Sequence, residues 1–120
     1  MFATHYDSAA PTRAEIDARP GPLLLEFGTN WCGHCQAAQP LLARAWAQVA
    51  GPAATVAPGH VKVEDGPGRA LGRSFRVKLW PTLVFLRDGQ ELARLVRPTD
   101  PAELARTLAL LVAPAPAPAP

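Results

Sequence analysis

An apolar run, Leu23-Leu24-Leu25-Glu26-Phe27, ends a few residues before Trp31-Cys32-Gly33-His34-Cys35, and a helical pattern begins directly behind the second cysteine. That order constrains the fold more than any other feature of the chain. A run that is apolar on both faces is too short for a helix and is bounded here by turn residues at Pro20-Gly21-Pro22 and Gly28, so it reads as a strand buried on both sides. Such a strand needs helices over both faces of its sheet. Two cysteines on the first turn of a helix share one end of it, where unpaired N–H groups and the positive end of the macrodipole favour a thiolate over a thiol. Cys32 sits outermost and gains most. The pair can open and close as a disulfide.

The remaining elements follow from local signals. Ala9 to Ala18 has helical composition, with Thr12 as N-cap and Glu15 three residues on. After the cysteines, Ala37, Leu41, Leu42, Ala45, Trp46 and Val49 recur at helical spacing, Pro40 should kink the helix, and Gly51-Pro52 should close it. Val61-Lys62-Val63 alternates as a short strand, followed by a loop at Asp65-Gly66-Pro67-Gly68 and a short helix through Ala70, Leu71 and Phe75. Thr82 to Leu86 and Glu91 to Val96 flank Asp88-Gly89, a strong hairpin signal. Asp100 caps a last helix with Leu104, Leu108 and Leu111 on one side. The expected class is α/β, with a central mixed sheet flanked by helices on both faces.

A chain of 120 residues with 48% hydrophobic content supports one compact domain. That domain is expected over residues 1–112. Residues 113–120 alternate Ala and Pro, which cannot make backbone ladders, so a disordered tail of polyproline type is expected there. Net charge is +2 and the basic residues are scattered, which argues against nucleic acid as a partner. No stretch approaches the roughly 18 apolar residues of a membrane span. Met1 to Ala10 carries Asp7 and no positive charge, and no apolar run of signal-peptide length follows, so the cytoplasm is the expected location.

A single close cysteine pair in such a setting is more often catalytic or metal-binding than structural. A zinc site would need two further ligands from His5, His34 and His60, without a second Cys-X-X-Cys, and His34 lies between the cysteines and cannot easily share their tetrahedron. A c-type haem site is excluded because Gln36 follows Cys35. Redox chemistry is therefore expected, with no metal and no bound cofactor; a buried pair of inert thiols is the bland alternative. Cys32 would be the nucleophile and Cys35 the resolving thiol. His34 can carry charge beside a helix-terminal thiolate and would make the disulfide a stronger oxidant; the alternative is a solvated surface histidine. Glu26, inside an apolar strand, is expected to have a raised pKa suited to taking a proton from Cys35, the alternative being an edge-exposed carboxylate.

The strand ending in Glu-Phe, the Trp-Cys-Gly-X-Cys segment, Pro40 five residues after the second cysteine and Trp80-Pro81-Thr82 downstream together resemble the thioredoxin family, from about Pro11 to Val112. The resemblance implies the thioredoxin fold and a thiol-disulfide oxidoreductase that reduces protein disulfides. An acidic residue at the position of Glu26 serves that family as proton acceptor, and Lys62 matches a basic residue near it. It also implies a cis peptide bond before Pro81, where the residues alone would read as a trans proline opening a strand, with the backbone of Trp80, Pro81 and Thr82 pairing with substrate, and Trp31 and Trp80 as apolar walls of a groove beside Gly33; Trp80 as core packing is the alternative. Cys-Gly-His-Cys looks like the active site of protein disulfide isomerases, whose potential is about −180 mV against about −270 mV for thioredoxin, roughly 4 kcal/mol for two electrons. An oxidase or isomerase is therefore a rival reading, and a non-enzymatic binding module a second. Departures from the family pattern are Leu79 and Trp80 in place of small residues and Arg97 in place of a groove-lining glycine. They add bulk or charge beside the cysteines and narrow the expected range of substrates and of docking reductases; Arg97 would also favour the Cys32 thiolate. Expected partners are protein or small-molecule disulfides and a reductase as electron donor, acting on a monomer.

Overall fold

The computed structural model describes residues 2–50 and 57–113. Its elements are α1 (Arg13–Ala18), β1 (Pro22–Gly28), α2 (Gly33–Val49), β2 (Gly59–Glu64), α3 (Ala70–Ser74), β3 (Thr82–Arg87), β4 (Gln90–Val96) and α4 (Pro101–Val112). The sheet runs β2-β1-β3-β4, with β1 parallel to β2 and antiparallel to β3, and β3 antiparallel to β4. A mixed central sheet with helices on both faces is what the sequence pattern implies.

Alternation along β1 divides the core in two. Leu23, Leu25 and Phe27 point to one face, where Ile16 of α1, Leu71 of α3 and the adjoining Phe75 cover them together with Val84 and Leu86 of β3. Leu24 points to the other, where Leu42 and Trp46 of α2 and Leu104, Leu108 and Leu111 of α4 pack with Leu83 and Phe85. Each such leucine, fully buried, contributes about 1.5–3 kcal/mol relative to exposure.

α1 begins four residues later than its composition indicates. Pro11 disfavours helical backbone at Ala10, and Thr12 closes a full capping box with Glu15 from an extended conformation (φ −79°, ψ 162°). β2 extends further on both sides than Val61-Lys62-Val63, because pairing with Leu23 to Gly28 of β1 carries it from Gly59 to Glu64. Pro40 sits inside α2 on its exposed side. The closure of α2 expected at Gly51-Pro52 lies outside the described residues, as does the tail at 113–120 apart from Ala113. The β3-β4 turn has positive φ at both central residues, Asp88 (51°) and Gly89 (78°), the twist that suits a two-residue hairpin. A side chain at Gly89 would stand 2.1 Å from the Asp17 carbonyl oxygen, so glycine is also required for close approach to α1.

This architecture brings the carboxyl ends of β1 and β2, the start of β3 and the end of β4 to one edge of the molecule. Phe27 pairs with Thr82, and Thr82 pairs with Val96. α2 starts at that edge.

Candidate active site

The turn from β1 into α2 places the cysteines. Cys32 is the N-cap of α2 in an extended conformation (φ −76°, ψ 122°), and its Sγ accepts the backbone N–H of Cys35 at 3.3 Å. A helix-terminal N–H donated to sulfur is a bond that strengthens when the sulfur carries charge. Cys35 is 1% exposed against 8% for Cys32, and both are free thiols. Cys32 is thus the outer of the two, as its place in the helix implies, but far less open than a helix end suggests, because Trp80 packs against the pair. Burial, together with the hydrogen bond to Cys32, pushes the Cys35 thiol up to about 11. Cys35 therefore stays protonated at neutral pH.

Behind Cys35 the second face of β1 turns polar. Glu26 is fully buried, with the Tyr6 hydroxyl and Gln39 Nε2 (2.9 Å) donating to its Oε2 and His60 Nε2 at 3.0 Å from its Oε1. His60 Nδ1 accepts the backbone N–H of Ala3 at 2.8 Å, which puts the ring proton on Nε2 and makes the ring the donor to Glu26. Lys62 pairs with Glu26 in the β1-β2 register, and its Nζ donates to Gln39 Oε1 at 2.7 Å while lying 4.3 Å from the centre of the Tyr6 ring. The expectation of a raised Glu26 pKa is overturned. Desolvation by burial does push it up, but the hydrogen bond from His60, the Lys62 charge and the Tyr6 hydroxyl together outweigh that and hold it below its ordinary value. Burial lowers the pKa of Lys62, against the opposing pull of Glu26 and Cys35.

Tyr6, Gln39 and His60 carried no signal as site residues in the sequence. His60 and Lys62 alternate on a strand and so share the face of Glu26 once β2 lies parallel to β1, a pattern readable only when that pairing is known. Tyr6 precedes every helix and strand and is held in place by Asn30, which accepts its N–H at 2.8 Å and donates to its carbonyl at 3.1 Å. Gly28 is equally unannounced. A Cβ there would lie 2.7 Å from both Cys35 Sγ and Tyr6 Cζ, so glycine is what lets these two side chains meet.

The outer rim contains the other expected residues. Trp31 is 74% exposed and meets half-buried Trp80 edge to face, with ring centroids 5.9 Å apart. Trp80 Nε1 donates to Asp65 at 2.9 Å, and the Trp80-Pro81 bond is cis. Leu79 and Val96 are also exposed at this edge. The Thr82 hydroxyl turns inward and donates to the Leu79 carbonyl at 2.6 Å. Arg97, at φ 49°, donates its side-chain Nε to the Trp80 carbonyl at 2.9 Å and its backbone N–H to that of Pro81. Its guanidinium thus braces the cis-proline segment. Gly33 and His34 are exposed on the first turn of α2.

A cavity of about 100 Å³ beside Cys35 is lined by Tyr6, Thr29, Asn30, Gln36, Gln39 and Lys62 among others, and Thr29 Oγ1 is buried without a protein partner. Among the described residues no three His, Cys, Asp or Glu side chains cluster as metal ligands, and no helix is long and apolar enough to cross a membrane.

A buried thiol behind a helix-capping one is an arrangement that can exchange disulfides, and comparison with known proteins points the same way. The thioredoxin family model matches residues 4–109. The structure of thioredoxin 2 from Pseudomonas aeruginosa PAO1 in its reduced form superposes with a TM-score of 0.78 at 57% identity, covering 92% of this chain and 97% of that one. Thioredoxin of Mycolicibacterium smegmatis is 36% identical over 87 residues, 72% of this chain and 75% of that protein. Protein disulfide-isomerase A2 of Pongo abelii is 44% identical over 68 residues, 56% of this chain but only 12% of that much longer protein.

Proposed function

We propose, for a chain that belongs to the thioredoxin family and carries the site of a thiol-disulfide oxidoreductase, that it reduces protein disulfides by dithiol exchange through Cys32 and Cys35. The observation that carries this reading is the Cys35 N–H held on Cys32 Sγ at the start of α2, with the second thiol buried behind it. The Cys32 thiolate attacks one sulfur of the substrate disulfide and forms a mixed disulfide, while the other sulfur leaves as a thiolate. Cys35 then loses its proton and attacks Cys32 Sγ. A Cys32-Cys35 disulfide forms, the second substrate thiolate departs, and two electrons have passed to the substrate.

Glu26 is the proton acceptor for the second step. Held ionised, it is in the accepting form throughout the neutral range, and the S–H proton becomes strongly acidic as the sulfur forms its new bond. The extended substrate lies along the backbone of Trp80, Pro81 and Thr82, between Trp31 and Trp80, and Gly33 leaves room above Cys32. Arg97 holds that segment in place through the Trp80 carbonyl. A small disulfide fits the same groove. All of these residues come from one chain, which suits a monomer, and a lone close cysteine pair suits the reducing cytoplasm, with a reductase returning electrons to the disulfide. The domain spans residues 1–112, followed by the Ala/Pro tail.

The test is reduction of insulin disulfides with dithiothreitol as donor, in the native protein and in Cys32→Ser. Native activity that Cys32→Ser abolishes is expected; activity unchanged in the variant would remove the thiol mechanism and leave a binding module. Direction is a separate question. His34 exposed beside Cys32, and the likeness to a protein disulfide-isomerase, favour a second reading as an oxidase or isomerase. Titration of the pair against glutathione decides it, and His34→Pro should lower the potential by about 30 mV or more, equivalent to about 1.4 kcal/mol.

A further inference from the structure

The Cys35 proton has to cross from sulfur to a carboxylate whose oxygens are already occupied. Oε1 of Glu26 is taken by His60, and Oε2 by Tyr6 and Gln39, so among the described residues no hydrogen bond joins Glu26 to Cys35 directly. The group between them is Tyr6. Its hydroxyl oxygen and Cys35 Sγ lie within 2.8 and 2.7 Å of one point, the place a Gly28 side chain would occupy. Tyr6 is 4% exposed, and its main chain is pinned by two hydrogen bonds to the Asn30 side chain. A phenol has a single proton, and this one is donated to Glu26. Towards Cys35 the oxygen can therefore only accept.

Building on the dithiol-exchange reading, we propose that Tyr6 relays the Cys35 proton to Glu26 during resolution of the mixed disulfide. As Cys35 Sγ bonds to Cys32 Sγ, the Cys35 S–H bond breaks and its proton passes to the Tyr6 oxygen, while the original phenolic proton passes to Glu26 Oε2. The substrate sulfur leaves with the electron pair of the old S–S bond. Tyr6 ends as a neutral phenol and Glu26 as a neutral acid, which returns its proton to solvent. No tyrosinate is formed at any stage, in keeping with a phenol whose pKa is driven far up, first by burial and then by the Glu26 charge. His60 and Lys62 serve the relay by keeping Glu26 ionised to receive.

The measurement is stopped-flow kinetics of both steps in the native protein, Tyr6→Phe and Glu26→Gln, using a disulfide peptide with a fluorescent reporter and with folding checked by circular dichroism. Resolution in Tyr6→Phe should slow by roughly 10²-fold, the low end for loss of general acid-base catalysis. Attack by Cys32 should change by less than about threefold, since Tyr6 takes no part in the helix-terminal contact to Cys32 Sγ. The remaining resolution in Tyr6→Phe should rise about tenfold per pH unit, because hydroxide then removes the proton, whereas the native step should be flat through neutrality. The double variant should be no slower than the slower single one, as expected for two members of one path. Native-rate resolution in Tyr6→Phe would overturn the proposal and route the proton through the small cavity at Thr29. Slowing that keeps the native pH profile would overturn it too, leaving Tyr6 a packing residue. Neither result touches the dithiol reading, which fails only if the native protein does not reduce the peptide at all.

Discussion

The two faces of β1 are built from neighbouring residues and differ completely in character. Leu23, Leu25 and Phe27 pack in an apolar cluster with side chains from α1, β2, α3 and β3. Leu24, Glu26 and Gly28 run from an apolar cluster under α2 and α4, through a carboxylate with three hydrogen-bond partners, to the glycine over which Tyr6 and Cys35 converge. The first face supplies burial and nothing else. The second grades from burial to a polar site beside the cysteines within three positions, so a substitution there is expected to change reaction rates as well as stability. A strand can keep these tasks apart because consecutive side chains point in opposite directions.

The comparison is tested most severely by Leu25→Ala, next to Glu26 on the apolar face. The expected cost is about 2–5 kcal/mol of stability by urea unfolding, with disulfide reduction per folded molecule unchanged. A specific loss of activity in the folded fraction would show that the faces are not separate.

Glu26→Gln on the opposite face should slow the second step of exchange by roughly 10²-fold, equivalent to about 2.7 kcal/mol, and leave the first nearly unchanged. It should also be less stable than the native protein at pH 7, since the amide presents N–H groups to Tyr6, Gln39 or His60, which all donate. Acid dependence sharpens the point. A carboxyl whose folded pKa lies below its unfolded value stabilises the fold above the unfolded value, and the contribution is lost as pH falls through the folded one. The native protein should therefore lose stability below about pH 4.5 more steeply than Glu26→Gln, as denaturant titrations at stepped pH would record. Parallel curves would mean that Glu26 is not held ionised.

The smallest effect is expected for Gly28→Ala, where one methyl group would push Tyr6 and Cys35 apart. Overpacking of this kind costs about 1–3 kcal/mol. Unlike Leu25→Ala, it should slow resolution in the molecules that fold, and single-turnover kinetics would reveal this. Unaffected resolution would show that Tyr6 and Cys35 need not touch.

Much of the site could be read in advance because its signals are local. The Cys-X-X-Cys spacing, the place of Cys32 at the outer end of a helix and the burial of Glu26 in an apolar strand follow from residues within a few positions of one another. Asp88-Gly89 announced its hairpin, and Thr12 with Glu15 their capping box, for the same reason. The strand pattern alone points to a raised pKa for Glu26, because burial is visible in it while compensating partners are not. Tyr6, Gln39 and His60 lie 20, 13 and 34 residues away from it.

The sequence by itself determined the order of elements, the two-sided burial of β1 and the pairing of cysteines at a helix start, all properties of periodicity and capping that act within a turn or a strand. Only the tertiary structure decided what surrounds those cysteines. Parallel pairing of β1 with β2 placed Lys62 beside Glu26 and brought His60 to the same face. Asn30 drew in Tyr6 from a segment that forms no helix or strand of its own. Trp80 came to lie over the thiols across the cis-proline segment. Whether a buried carboxylate is charged or neutral is set by the sum of desolvation and every nearby donor, and those donors converge only when the chain has folded.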